Sequence, residues 1–299
     1  MGGGNGKIWI ALTIAAAPLQ VARNALQRGL MAEAGPWGAT LVRFLFGLPF
    51  ALAIFAVVAV LTPLADPTPN AKFWWAVSGG ALGQVLATAA LLVAMRRSGF
   101  AVATFMQQAS LPLAALMGLV VFGDQLRTQA WLGVVLTTVG LVVLSWPGRA
   151  AARGALVGSA MGLASGAAFA VALNGYRQAG LALEPDYPIY AATAAVCVAQ
   201  ALQTLGLGAY LAAARPQSLA AVAKAWRSSL GAGFFGAAAS ACWFSALALA
   251  PAGMVRAVGV IEAPIAAAAG RRLFQERLSL RQALAGAATA AGVILTALG

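Results

Sequence analysis

Residues 37–62 read WGATLVRFLFGLPFALAIFAVVAVLT, and residues 63–69, PLADPTP, break the run at once. An α-helix crosses the hydrocarbon core of a bilayer with about 20 mostly apolar residues. This stretch supplies them with a single charge, Arg43. Cutting the rest of the chain the same way, at charges, Pro and Gly, predicts ten such segments: 8–27, 37–62, 73–95, 99–122, 129–146, 154–176, 188–212, 229–249, 252–274 and 280–298. The strands of a membrane β-barrel would be shorter and would alternate in polarity, and these runs do not. The expected fold class is an all-α polytopic membrane protein.

Composition agrees. Of 299 residues 62% are hydrophobic and 9% charged, where a soluble chain carries roughly 25% charged residues. The 19 Lys+Arg against 7 Asp+Glu give a net charge of +12. In a soluble protein that excess would point to nucleic acid. Here the basic residues sit almost entirely between apolar runs, so they read as signals of orientation, and no nucleic-acid partner is expected. Twelve of them, from Arg28 to Arg281, fall on the face reached after the odd-numbered segments, and four, Lys7, Lys72, Arg127 and Arg177, on the other. The richer face is predicted to be cytoplasmic and both termini external. There is no His, which excludes His metal centres and Ser-His or Cys-His catalysis. Cys197 and Cys242 lie in apolar runs and are expected as free thiols. Neither a metal nor a cofactor is expected.

Laid on itself with a shift of 152 residues, the chain repeats. Lys72 falls on Lys224, Trp74 on Trp226, Pro112 on Pro264, Phe122 on Phe274, Asp124 on Glu276, Thr137 on Thr289 and Gly140 on Gly292, without a gap. Two repeats are predicted, 1–148 and 149–299, of five segments each. An odd number of spans starts the second copy on the opposite side of the membrane, the inverted arrangement found in secondary transporters.

Ionisable groups at membrane depth are costly and mark cavities or partners. Glu262 is the one acid so placed, and Arg256 precedes it on the same segment by about 9 Å of helix rise. They read as an ammonium partner or proton carrier and an anion anchor, or else as a structural ion pair, with Arg43 as another partner. Polar side chains recur at helical spacing at Gln20 and Asn24 of the first segment, and at Gln84 and Thr88 of the third. Thr104, Gln107 and Gln108 of the fourth and Ser240 and Trp243 of the eighth follow suit. Converging from several segments, they predict a polar substrate cavity. Arg23 is expected to snorkel toward the basic face. Gly154, Gly158, Gly162 and Gly166 predict close helix packing. Pro112 and Pro264 are expected to kink their segments and serve as hinges.

The mid-segment prolines, the turns Phe122-Gly-Asp-Gln-Leu126 and Phe274-Gln-Glu-Arg-Leu278 and the Gly-spaced last helices resemble the EamA-like branch of the drug/metabolite transporter superfamily. Asp124 stands where that family usually has Glu. The resemblance implies a helix bundle around a central cavity, and the export or exchange of small metabolites across a bacterial-type inner membrane. It extends to relatives similar to YddG-type exporters of aromatic amino acids. The expected activity is thus a monomeric secondary transporter of amino acids or similar metabolites working by alternating access, not an enzyme. A channel-like facilitator or a lipid or drug flippase of the same architecture is the rival reading.

Overall fold

The computed structural model describes residues 5–110, 112–113, 128–145, 153–250, 255 and 258–298. Asp124 and the rest of the first turn motif, and Arg256, lie outside them. Every regular element among the described residues is helical: α1 (Asn5–Leu45), α2 (Leu48–Leu61), α3 (Ala71–Ser98), α4 (Phe100–Gln107), α5 (Thr128–Ser145), α6 (Arg153–Leu183), α7 (Pro188–Ala214), α8 (Pro216–Lys224), α9 (Trp226–Leu249), α10 (Glu262–Phe274) and α11 (Leu280–Leu298). Five helical stretches among these residues, 8–61, 71–98, 156–183, 188–214 and 226–249, are long and apolar enough to cross a membrane. Their outer faces carry large apolar side chains such as Val60 and Trp75, the latter 81% exposed. Hydrocarbon accepts such a surface and water does not.

The first two expected segments divide differently in the structure. Helix continues through Arg28–Ala34 and breaks at Gly35, with φ 67° and ψ 179°. The positive φ suits a residue without a Cβ, and the extended ψ is what the following Pro36 imposes. The break folds α1 into two limbs lying side by side, because Gln27 Nε2 donates to the carbonyl of Ala39 at 2.7 Å. A second interruption at Phe46–Gly47 precedes α2, one turn before Pro49, whose ring cannot follow the carbonyl of Leu45 in a regular helix. The short helix α8 was not expected, being too short to register as a span.

The chain forms two compact units, each drawing on both halves of the sequence: 1–85 with 171–251, and 86–170 with 252–299. In the first, α1 packs mainly against α9. The approach is backbone to backbone, since a Cβ on Gly233 would strike the main chain of Phe46 and Gly47. Within the same unit α3 and α6 cross at Gly80 and Gly175, where a Cβ on Gly175 would stand 2.9 Å from the Gly80 Cα. Small residues permit such crossings in membranes, where packing replaces the hydrophobic effect as the force between helices. The loop 62–70 is stitched to the α6–α7 turn by Glu184, whose Oε2 accepts from the Asp66 amide at 2.9 Å and Oε1 from the Asp186 amide at 3.1 Å.

In the second unit, Gly158, Gly162 and Gly166 of α6 sit against Ser98, Met106 and Ala109 respectively, so this glycine stripe serves packing. The main contact is α5 on α11. A Cβ on Gly140 would meet Thr289 and the carbonyl of Ala285; one on Gly292 would meet Thr137 and the carbonyl of Gly133. Rising numbers on one helix meet falling numbers on the other, so the two helices are antiparallel. The contact is also reciprocal, each residue meeting the counterpart of its own partner 152 positions away.

Candidate functional site

Two arginines lie buried within the apolar helix α1 in the first unit. Arg23 is 1% exposed and Arg43 2%, so Arg23 does not snorkel as the sequence led us to expect. The hairpin in α1 accounts for both. From the Gln27–Ala39 tie, Arg23 is four residues back along one limb and Arg43 four residues on along the other, which brings both to one level. Opposite them α9 presents Gly236, where a Cβ would meet Arg43 Cγ at 3.0 Å and Arg23 Cδ at 3.4 Å. Both aliphatic stems therefore pack on the space that this glycine leaves. Arg23 donates through Nε and Nη2 to Asn24 Oδ1, and Arg43 Nη2 donates to Ser240 Oγ at 3.2 Å. Gln20 and Trp243 are buried in the same unit.

A second polar group in that unit joins Gln84, Tyr176 and Gln203. The Tyr176 hydroxyl donates to Gln84 Oε1 at 2.9 Å. Gln203 Nε2 donates to the same oxygen at 2.8 Å and contacts the Tyr176 hydroxyl at 3.0 Å and the Ala81 carbonyl at 3.1 Å. The Tyr176 ring lies against Phe244 at 4.1 Å between centroids. Beside it a cavity of about 80 Å³ is lined by Tyr176, Arg177, Glu184 and Phe244. That is well below the roughly 300 Å³ at which small-molecule pockets begin, a size for water and not for a metabolite. Arg177 holds the end of α9, donating to the carbonyls of Leu247 and Ala250 at 2.9 and 3.1 Å.

In the second unit Glu262 is 0% exposed and opens α10. Residues 260–261 before it form a turn, tied by the Ile261 amide to the Val258 carbonyl at 3.3 Å and the Ala263 amide to the Val260 carbonyl at 2.9 Å. The proline accounts for the turn: Pro264 lacks the N–H that would bond four residues back, at Val260. Residues 108–109 form a turn too, placed in the same way before Pro112, and a shift of 152 carries one turn onto the other. Pro264 thus lies in the first turn of α10, where the helix needs no donor from it, and not mid-helix as expected. It is exposed, whereas Pro112 is buried. Glu262 gains from its place, since a carboxylate suits the positive end of a helix.

Thr88, Thr104, Gln107 and Gln108 are buried in this unit. The Thr104 hydroxyl donates to the Phe100 carbonyl at 2.9 Å, a bond within its own helix. Glu276, the counterpart of Asp124, accepts from the Phe100 amide at 2.7 Å and so holds the start of α4. It also borders an open cleft of about 1270 Å³ lined by Arg271, Arg272 and Arg277.

Of the polar residues singled out in the sequence, the structure gives Asn24 to Arg23, Ser240 to Arg43, and Gln84 to Tyr176. Tyr176 is another of the polar residues that the sequence directs inward, whereas Arg23 and Gln203 went unrecognised as parts of buried clusters. Their signal was present as ionisable or amide side chains inside apolar runs, but only the α1 hairpin and the packing of α3, α6 and α7 show which ones meet. No curated protein matches the sequence. A solved structure titled "Crystal structure of protein" is similar in fold at 17% identity, with a TM-score of 0.53 over 100% of this chain and 97% of that one. Residues 7–146, the part that carries the arginine hairpin, match the EamA-like transporter family.

Proposed function

We propose that this chain is a secondary transporter of the drug/metabolite transporter superfamily that moves small metabolites across a bacterial-type inner membrane. Amino acids, aromatic or hydrophobic ones among them, are the favoured class, moved outward or in exchange by alternating access. The burial of Arg23, Arg43 and Glu262 within apolar helices carries the reading. Charges at that depth are too costly to keep for packing alone and are the usual mark of a solute path. The turn at 260–261 within an apolar segment adds support, because irregular backbone inside a membrane is tolerated only in protein surroundings or along a cavity.

The architecture proposed with it is ten spans in two inverted repeats, 1–148 and 149–299, with both termini external and the monomer as the working unit. Supporting it are the antiparallel, reciprocal contact of α5 with α11 and the matched turns before Pro112 and Pro264. Glu262 is the group assigned to proton coupling, and Arg256 to a further anion contact. The purified chain in proteoliposomes should show saturable counterflow of its amino acid, driven by a pH gradient. Glu262→Gln should abolish the dependence on the gradient and keep counterflow. Flux that never saturates would favour a channel and overturn the proposal.

A further inference from the structure

We infer that Arg271, Arg272 and Arg277 form a headgroup site for an anionic phospholipid, where α10 ends and the chain turns toward α11. The inference needs a chain that spans a bilayer and does not need one that transports. All three arginines line the open cleft of about 1270 Å³. That exceeds the roughly 300–1,000 Å³ of small-molecule pockets, so the cleft has room for a headgroup with part of its chains. Each arginine is exposed, and among the described residues none of the three guanidinium groups has a protein partner. Glu276 is the one acid on the cleft; its carboxylate accepts from the Phe100 amide and lies beside Gly99 and Gly270. Three cationic forks thus open on one cleft, and the protein takes none of them.

The turn explains how they meet. Gln275 closes α10 in the left-handed region, with φ 55° and ψ 28°, and its amide and that of Glu276 both donate to the Gly270 carbonyl, the latter at 3.1 Å. Such a cap folds the chain back over the last helical turn, which returns Arg277 to the cleft that Arg271 and Arg272 line. The turn motif does not call for the charges, because 152 positions earlier the sequence has Leu119, Val120 and Gln125 in their places. The positive-inside rule accounts for arginine on this face but not for three of them on a single cleft. Guanidinium forks match phosphate oxygens in pairs, and basic pockets beside membrane helices take phosphate headgroups. The same cleft has apolar walls at Ala267, Ala268 and Leu278, and Leu273, next to Arg272, is 63% exposed. Consecutive helical residues stand about 100° apart, so exposed Arg271, Arg272 and Leu273 leave more than half the circumference of this helix end clear of the protein. A soluble anion would gain nothing from that apolar surface, whereas acyl chains would.

The test uses the full chain in detergent and counts bound lipids by native mass spectrometry. The titrants are phosphatidylglycerol, phosphatidylcholine with the same acyl chains, and inorganic phosphate and glycerophosphate, which carry the anion without chains. Phosphatidylglycerol should bind about tenfold or more tighter than phosphatidylcholine. Arg271→Gln, Arg272→Gln and Arg277→Gln should each weaken its binding about fivefold, and the three together roughly 100-fold, at the worth of an arginine near an anionic membrane surface. Arg215→Gln, Lys224→Gln and Arg227→Gln together remove as much exposed charge from the other unit and should change binding by no more than about twofold. Should the first triple variant fail to insert, Arg271→Lys, Arg272→Lys and Arg277→Lys together keep the orienting charges, lose the forks and should still weaken binding severalfold. Equal losses in the two Gln triples, equal binding of the two lipids, or no loss in the Lys triple overturns the inference. Binding of chain-free phosphate as tightly as phosphatidylglycerol overturns it too, by making the occupant a soluble anion.

Discussion

Gly140→Ala puts the α5–α11 contact to a quantitative test. The added Cβ would stand 2.8 Å from the Thr289 amide nitrogen and 2.9 Å from the Ala285 carbonyl oxygen. Both are backbone atoms, so no side-chain rotation relieves the contact and the helices must part. Overpacking of this kind costs about 1–3 kcal/mol, set against a gain of about 1 kcal/mol for alanine over glycine in a helix. Gly206→Ala on α7, where nothing lies within 4 Å of the new carbon, receives the gain without the cost. Gly140→Ala should therefore melt below Gly206→Ala by roughly 2–12 °C, at about 2–4 °C per kcal/mol for a chain of this order of size. Gly292→Ala should behave like Gly140→Ala, because it meets Thr137 and Gly133 in the mirrored arrangement. Once one substitution has parted the helices the second costs less, so the double variant should lose less than the two separate losses together. Trimming Thr289 to alanine beside Gly140→Ala should not restore stability. Thermal unfolding in detergent, read by size exclusion, measures all of these. Full additivity, or Gly140→Ala matching Gly206→Ala, would refute the reciprocal close contact.

Three further substitutions read out other parts of the structure by the same melting assay. Gly35→Ala places a side chain at φ 67° and should cost about 1–2 kcal/mol, because L-residues avoid that region. Glu276→Ala removes the acceptor of the Phe100 amide and should cost about 1–2 kcal/mol as a lost helix cap, while Glu276→Gln, which keeps an acceptor, should cost less. Gln203→Leu should cost about 1–2 kcal/mol, the worth of hydrogen bonds between membrane helices, and Gln84→Leu in the same chain should add little more because both belong to one cluster.

Several helix ends were legible in the sequence. Segments 129–146 and 280–298 became Thr128–Ser145 and Leu280–Leu298, because charges, Pro and Gly bound an apolar run where the helix stops. The turns before Pro112 and Pro264 were also within reach, since a proline states which carbonyl loses its donor. What the sequence concealed is the pairing of distant side chains. Arg23 and Arg43 stand twenty positions apart in the chain, and only a hairpin whose apex is set by one glycine torsion brings them level. Gln203 looked like one amide in an apolar run; its meaning appears once α3, α6 and α7 bring it to Gln84 and Tyr176. Arg23 misled because a long cationic side chain near a predicted helix end has two physical destinations, the headgroup region or the protein interior. Extending that helix by about two more turns, through Ala34, decides between them.

A regular helix resists bending because each rung of its ladder must stretch, whereas one that has lost a rung to an imino ring flexes at that gap first. The hinges proposed at Pro112 and Pro264 would therefore gather compliance at residues 108–109 and 260–261. Glu262 sits beside one of these points, so in that proposal the backbone yields next to a buried carboxylate.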